Sequence, residues 1–277
     1  MHLLELSTLS EKQVLEIFEL AKYLKENQNK KILSEKTFIL FFPETSIRTR
    51  ITFEKGIKDL GGECILFPPE TLDKREEPKD VMNYLYNWAD GLIIRHSDYS
   101  KLLDLSLHSS IPIVNAMTTH NHPCEILSDL YSIAENRENY RDLVYTFVGT
   151  ANNISRSWME IAKVMNLTYN HVCTSGNELT YNNSNYKFST SLEATLSGSD
   201  VVLTDSLPSQ FINKEYTDKY QITLERMKIA NKGAIFFRNE EVSDEVMSSK
   251  YFVGYPFKKN LIYVQQAILA YCLEMKV

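Results

Sequence analysis

The strongest constraint on the fold is an alternation of short apolar runs with amphipathic segments along most of the chain. One series opens at residues 37–42 and a second at residues 143–148, and each contains about four strand-length runs. The segments between them have apolar residues at helical spacing. Residues 10–27 show the same spacing, and Ser10 and Gln13 form a capping-box pattern at the start of this segment. Strands that alternate with helices form parallel sheets with helices on both faces. The sequence therefore predicts an α/β protein with two doubly wound parallel-sheet domains.

The polar segment 135–142 separates the two series and is interpreted as a linker. A length of 277 residues fits about two domains, since one domain has roughly 150 residues. The predicted domains are residues 1–135 and 136–259, with a final amphipathic helix in 260–277 packing back on the first. Ligands of parallel sheets bind beyond the carboxyl ends of the strands, so residues that follow strands are the candidates for chemistry.

Composition narrows the class of protein. The chain has 30 Lys and Arg against 36 Asp and Glu, a net charge of −6, and no basic run of the kind that binds nucleic acid. It contains no stretch of 18 apolar residues, which argues against a membrane span, and its start does not resemble a signal peptide. The four cysteines are scattered, without a zinc-binding spacing. These features predict a cytoplasmic enzyme with no nucleic-acid or membrane partner and no metal.

The most distinctive segment is Ser46-Ile47-Arg48-Thr49-Arg50, which lies between a predicted strand end and a predicted helix start. A helix N-terminus offers free N–H groups and the positive end of the helix dipole. The two hydroxyls add donors, and the two arginines add planar guanidinium groups that fit phosphate. The pattern predicts an anion site, and the alternative is a capped helix start with solvated arginines.

This segment resembles a known family. Residues 41–54, Phe-Phe-Pro-Glu-Thr-Ser-Ile-Arg-Thr-Arg-Ile-Thr-Phe-Glu, followed by Leu-Gly-Gly at 60–62, resemble the carbamoyl-phosphate signature of aspartate and ornithine carbamoyltransferases. Arg95 ends a predicted strand, as the donor-binding arginine of that family does. Residues 122–125, His-Pro-Cys-Glu, are similar to the His-Pro-x-Gln motif of the family. The resemblance implies a domain that binds carbamoyl phosphate.

The second half of the chain is similar to the ornithine type of this family. Val-Gly-Thr-Ala-Asn-Asn at 148–153 resembles its acceptor loop, and residues 201–209 resemble its Thr-Asp-x-x-x-Ser segment. Aspartate carbamoyltransferases have arginine and histidine in the acceptor loop to bind two carboxylates, whereas this chain has Asn152 and Asn153. The resemblance thus implies an ornithine-like amino acid or related amine as acceptor.

By this resemblance the chain is a carbamoyltransferase that transfers the carbamoyl group of carbamoyl phosphate to an amine, with no cofactor. The residues implied as catalytic, facing the carbonyl oxygen, are Arg48, Thr49, Arg95 and His122. Those implied to bind carbamoyl phosphate are Ser46, Ile47, Arg48, Thr49, Arg50, Arg95, His122 and Glu125. Those implied to bind the acceptor are Asn153, Asp205, Ser209 and Gln210. The family typically forms trimers, and Lys74 and Arg75 match its loop that reaches a neighbouring subunit's site, so a homotrimer is expected.

Three positions depart from the family pattern. Glu125 replaces the glutamine of His-Pro-x-Gln and places a negative charge near the phosphate site. Gln210 replaces a methionine, and the His-Cys-Leu-Pro motif expected near residue 237 is missing, because Phe237 runs almost directly into Glu240 and Glu241. These departures keep open an alternative, a binding or regulatory protein with this fold and no turnover.

The residues alone also fit two other interpretations, a nucleotide-binding enzyme and purely structural roles for single site residues. Val-Gly-Thr-Ala at 148–151 follows a predicted strand, as in nucleotide-binding enzymes, but the chain has no Gly-x-Gly-x-x-Gly and only 9 glycines. Taken singly, His122 is also typical of a helix start, Lys74 and Arg75 of a solvated loop, and Asp205 of a turn. Their order along the chain favours the functional interpretation.

Overall fold

A computed structural model describes residues 1–237 and 242–275. The chain forms two compact units. Unit 1 comprises Met1–Tyr131 together with the chain from Lys259 onward, and unit 2 comprises Ser132–Lys258. The division falls inside a helix, Pro123–Asn136, shortly before the polar segment that was interpreted as a linker.

Helices and strands alternate along the chain as the sequence predicts. The strands are β1 Thr37–Phe41, β2 Glu63–Phe67, β3 Gly91–Arg95, β4 Ile113–Met117, β5 Val144–Val148, β6 Thr168–Val172, β7 Tyr186–Ser189, β8 Val201–Thr204 and β9 Ile235–Phe237. The helices are α1 Glu11–Glu26, α2 Ile47–Asp59, α3 Pro78–Leu85, α4 Tyr99–Leu107, α5 Pro123–Asn136, α6 Asn153–Met165, α7 Leu192–Leu196, α8 Lys214–Tyr220, α9 Leu224–Met227, α10 Asp244–Met247, α11 Gly254–Lys258 and α12 Leu261–Cys272.

Each unit is built on one parallel sheet, which confirms the predicted fold class. Unit 1 has four strands in the order β2-β1-β3-β4, and unit 2 has five in the order β7-β6-β5-β8-β9. In unit 1 β2 and β3 lie on opposite sides of β1, and in unit 2 β6 and β8 lie on opposite sides of β5. The crevice where the strand order reverses is where doubly wound sheets bind ligands.

Local sequence signals explain several boundaries. Ser10 and Gln13 form the predicted capping box at the start of α1. After α2 the chain turns at Gly61 with φ +87°, a conformation that favours glycine, and the amide of Gly62 then donates to the carbonyl of Ile57 at 3.0 Å. α12 packs against α1 and α2, and its Gln266 donates from Nε2 to the carbonyl of Gly56 at 2.8 Å.

The structure corrects the prediction for the second sheet. That sheet has five strands rather than about four, because Tyr186–Ser189 forms β7 at its edge. Its sequence, Tyr-Lys-Phe-Ser, has only one fully buried position, so it lacks the apolar run that marks an interior strand. The short helices α8 to α11 were also not predicted, since none exceeds seven residues.

Candidate active site

The crevice of unit 1 lies beyond the ends of β1 and β3, where two predicted site segments meet. Ser46 follows β1 and precedes α2, and Arg95 is the last residue of β3. The Arg95 guanidinium donates from Nη1 to Oγ of Ser46 at 3.0 Å. Strand order therefore joins two residues that lie 49 positions apart in the sequence.

Five of the residues predicted to bind carbamoyl phosphate, 46–50, lie at the N-terminus of the 13-residue helix α2. Ser46 and Thr49 are buried, at 2% and 4% exposure, whereas Ile47 and Arg48 are exposed. Arg50 is partly buried and pairs through Nε with Glu54 at 2.6 Å. Two buried hydroxyls at a helix N-terminus with an accessible guanidinium beside them form an arrangement that can bind a phosphate.

Three charged side chains interact in this crevice. Burial lowers the pKa of Arg95 from its ordinary value, and the nearby charge of Arg48 lowers it further, whereas Glu125 raises it. The guanidinium keeps its positive charge, because arginine is not deprotonated in proteins. The first turn of α5 thus brings the carboxylate of Glu125 within electrostatic range of Arg95.

His122 lies directly before α5, and its backbone carbonyl accepts a bond from the amide of Ile126 at 3.3 Å. A buried network holds the turn in front of it: the amide of Asn121 donates to Oγ1 of Thr118 at 3.1 Å. Asn115 in β4 donates from Nδ2 to Oδ1 of Asn121 at 2.6 Å. This network was not predicted; the signal for it in the sequence is an asparagine inside an apolar strand.

A cavity of about 300 Å³ opens beside Arg95 at the carboxyl ends of the strands of unit 1. Pro43, Arg95 and Thr118 line it, with Asp73 and His96 on the wall. Its volume is at the lower end of the range typical for small-molecule sites, which suits a small metabolite.

Lys74 and Arg75 are exposed and follow a 3₁₀ helix, Pro69–Asp73. Asp73 anchors this segment, since it accepts a short bond from Lys101 and lies 3.2 Å from Nε2 of His96. The hydrogen bond from Lys101 holds the pKa of Asp73 below its ordinary value. The two basic residues therefore project from a segment that is fixed at one end.

Unit 2 has the corresponding crevice beyond β5 and β8. Asn152 caps α6, its Oδ1 accepting the amides of Ile154 and Ser155 at 3.0 and 2.9 Å. Its Nδ2 donates to Oδ2 of Asp205, directly after β8, at 3.0 Å. Asn153, the predicted acceptor residue, is buried at 8% exposure in the first turn of α6. The structure thus connects Asn152, which was not predicted as a site residue, to the predicted Asp205.

Other predicted residues of unit 2 lie further from the strand ends. Ser209 and Gln210 are exposed in a 3₁₀ helix, Ser209–Phe211. The segment after Phe237, where the His-Cys-Leu-Pro motif was expected, falls at residues 238–241 and lies outside the described residues. Thr150 is 4% exposed, and its hydroxyl has no hydrogen-bond partner among the described parts of the chain.

Within residues 1–237 and 242–275, no helix combines the length and apolar character that a bilayer span requires.

Comparisons with known proteins agree with these arrangements. Residues 1–135 match the sequence model of the aspartate/ornithine carbamoyltransferase carbamoyl-P binding domain, and residues 141–272 match that of the Asp/Orn binding domain. An ornithine carbamoyltransferase of Methanobrevibacter smithii is 30% identical over 95% of this chain and 96% of its own length. That of Chromobacterium violaceum is 29% identical over 98% and 96%.

The solved structure of ornithine carbamoyltransferase from Burkholderia thailandensis has the same fold, with a TM-score of 0.90 over 100% of this chain and 99% of that one, at 24% identity. The two domain models thus match in the order of the two units along the chain, and the relatives match over nearly its full length. The chain belongs to the aspartate/ornithine carbamoyltransferase family, a family of transferases.

Proposed function

We propose that this protein transfers the carbamoyl group of carbamoyl phosphate to the amine of an ornithine-like amino acid. The observation that supports this most directly is the crevice of unit 1, where Arg95 is bonded to Ser46 beside the N-terminus of α2. In the reaction the amine nitrogen attacks the carbonyl carbon, the bond from that carbon to the phosphate oxygen breaks, phosphate leaves, and the amine loses a proton.

On the donor side, the proposed phosphate ligands are the α2 N-terminus and the side chains in front of it. This set comprises Ser46, the Ile47 backbone, Arg48, Thr49 and Arg50. Arg48, Thr49, Arg95 and His122 would face the carbonyl oxygen, where negative charge grows as the amine attacks. Donors fixed before the reaction stabilise that charge, and this is usually the largest catalytic contribution. Glu125 would lie beside the carbamoyl group.

On the acceptor side, Asp205 would bind the ammonium group that does not react, and Asn153 the backbone groups of the amino acid. Ser209 and Gln210 complete the proposed acceptor set. A carboxylate held by the Asn152 amide suits a cationic ligand. The relatives from Methanobrevibacter smithii and Chromobacterium violaceum are ornithine carbamoyltransferases, and this supports ornithine over aspartate as the acceptor.

The domain roles and assembly follow the same proposal. Residues 1–135 with the helix in 260–277 would bind carbamoyl phosphate, and residues 136–259 the acceptor. A cytoplasmic homotrimer is proposed, in which Lys74 and Arg75 reach a neighbouring subunit's site. Their exposed positions after the anchored Asp73 support this role.

Thermal unfolding with and without fresh carbamoyl phosphate tests donor binding. A ligand at about 100 times its dissociation constant adds roughly 2.7 kcal/mol to the native state, which should raise the midpoint by several degrees. Arg48→Ala should abolish the rise. Lys55→Ala, which removes another exposed cation of α2, should keep it.

Turnover is then measured as carbamoylated product from L-ornithine, with L-aspartate as the competing acceptor. Product from L-ornithine that depends on Arg48 supports the proposal. Donor binding without product from any amine would replace it with a non-catalytic binding role. No midpoint shift at saturating donor would contradict the proposed phosphate site itself.

A further inference from the structure

A buried histidine of unit 2 lies next to the loop that would bind the acceptor. His171 is in β6, fully buried, and paired with Phe147 of β5 and Phe188 of β7. The rings of these two phenylalanines pack edge-on against the imidazole, with centroids 5.6 and 5.3 Å away. An imidazole buried among aromatic rings needs hydrogen-bond partners for both nitrogens.

Both nitrogens of His171 have such partners. Nε2 lies 2.8 Å from the carbonyl oxygen of Gly149, and Nδ1 lies 3.1 Å from the hydroxyl of Tyr186. A carbonyl only accepts, so Nε2 carries the proton and donates it. Nδ1 then accepts from Tyr186, whose oxygen accepts the amide of Leu179 at 3.0 Å. The chain of donors therefore has one direction, and it ends on the Gly149 carbonyl.

Gly149 is the first residue after β5, and its backbone is in an unusual conformation. Its φ of +151° favours glycine, and an added Cβ would meet the ring of Phe147 at 3.2 Å. The amide of Gly149 donates to the carbonyl of Val172 at 3.0 Å, and the carbonyl of Gly149 accepts the hydrogen bond from Nε2 of His171. The last two residues of β6 thus fix both polar groups of the turn that leads to Asn152 and Asp205.

We propose that His171 is a positioning residue for the acceptor loop, residues 149–153. Its Nε2–H sets the orientation of the peptide plane after Gly149, and this orientation places Asn152, Asn153 and through them Asp205 against the amino acid. The inference rests on the proposed function for its kinetic consequence, and on the hydrogen bonds of His171 alone for its structural one. It assigns a role to a side chain that would not itself contact substrate.

The test compares four variants of the full chain. His171→Leu removes the bond to Gly149 and keeps an apolar side chain. His171→Gln can restore a donor near the position of Nε2. Phe188→Leu disturbs the same packing without touching the Gly149 carbonyl, so it is the matched control. Tyr186→Phe removes the hydroxyl that pairs with Nδ1 and accepts the Leu179 amide, but it keeps the bond from Nε2 to Gly149, and it serves if His171→Leu does not fold.

Steady-state kinetics with L-ornithine give the first readout. His171→Leu should raise the acceptor KM about tenfold or more, because small displacements of a binding group have large effects. The carbamoyl-phosphate affinity should stay within about twofold of wild type, since that site is in unit 1. His171→Gln should recover most of the loss, and Tyr186→Phe should show a smaller rise in the same constant. A folded His171→Leu with unchanged acceptor KM, or with equal losses for both substrates, overturns the proposal.

Hydrogen exchange gives a readout that does not depend on turnover. Amides in peptides covering residues 149–153 should exchange about tenfold faster in His171→Leu than in wild type and Phe188→Leu. Exchange equal to wild type, or equally accelerated in Phe188→Leu, overturns the inference. If wild type carbamoylates no amine, the proposed function fails while the exchange result still decides the role of His171.

Discussion

In each unit a hydrogen bond crosses the crevice, from the segment that follows the first strand of the sheet to the carboxyl end of a neighbouring strand or the residue directly after it. In unit 1 the bond runs from Arg95 to Ser46, and in unit 2 from Asn152 to Asp205. The first pair leaves a cation in the crevice and the second a carboxylate. One topology therefore presents opposite charges to ligands, depending only on the residues that follow the strands.

The comparison extends to the residues that support each crevice. In unit 1 the turn before His122 is held by an asparagine and threonine network, whereas in unit 2 a neutral histidine holds the turn after β5. Unit 1 also contains Glu125, a carboxylate close to its cations. The two crevices should therefore respond differently to charge removal and to pH.

Arg95→Ala should have the largest effect. It removes a charged donor and leaves the buried Ser46 without this partner, so kcat/KM for carbamoyl phosphate should fall by about 10²–10³-fold. Steady-state kinetics at saturating acceptor measure this. Arg95→Lys should recover part of the loss, because charge remains but the planar fork does not. If Arg95→Ala bound carbamoyl phosphate as tightly as wild type, Arg95 would not be the cation by which unit 1 differs from unit 2.

Acid should destabilise unit 2 through His171. Burial lowers the pKa of this histidine from 6.5 to about 4. Between pH 4 and pH 6.5 the unfolded chain binds more protons than the folded one, so the free energy of unfolding falls as the pH drops from 6.5 towards 4. Below pH 4 this histidine causes no further loss of stability. The burial of neutral His171 thus lowers the free energy of unfolding in acid by at most about 3 kcal/mol.

Urea unfolding at pH 7 and pH 4.5 measures this effect. His171→Gln should be less stable than wild type at pH 7 and should lose less stability on acidification, because the variant has no imidazole to protonate. An equal acid loss in both proteins would place the sensitivity elsewhere in the molecule.

Asp205→Asn should weaken the acceptor side alone. A charge-assisted bond contributes about 1.5–3 kcal/mol, so the acceptor KM should rise about 10- to 100-fold while donor affinity stays unchanged. The matched control is Asp218→Asn, which removes an exposed carboxylate of α8 that pairs with Lys214. A parallel loss of carbamoyl-phosphate affinity would show that the crevices do not divide the substrates as proposed.

Glu125→Gln should have the smallest effect and the opposite sign. Removing this charge frees Arg95 and Arg48 to attract an anion, so carbamoyl phosphate and inorganic phosphate should bind up to about tenfold more tightly. Calorimetric titration measures it, and Asp104→Asn on the exposed face of α4 is the control. Weaker binding in Glu125→Gln would mean that the negative charge of Glu125 supports the binding of the ligand, since the glutamine keeps an acceptor oxygen.

Local elements were largely predictable because their signals are local. Ser10 and Gln13 marked the start of α1, and apolar runs marked the interior strands. β7 was missed because an edge strand needs no apolar run, and Asn152 because an asparagine cap has the same sequence signal whatever else its amide binds. The proposed site residues stay predictions until the variants above are measured.

The sequence by itself determined the order of strands and helices, the series of two α/β units, and which residues follow which strand. Only the tertiary structure decided that Arg95 reaches Ser46, that Asn152 reaches Asp205, and that His171 holds Gly149. Helix caps and strand runs arise from neighbours in sequence, whereas strand order arises from burying both faces of a whole sheet at once. The contacts across each crevice therefore exist only after the sheet has formed.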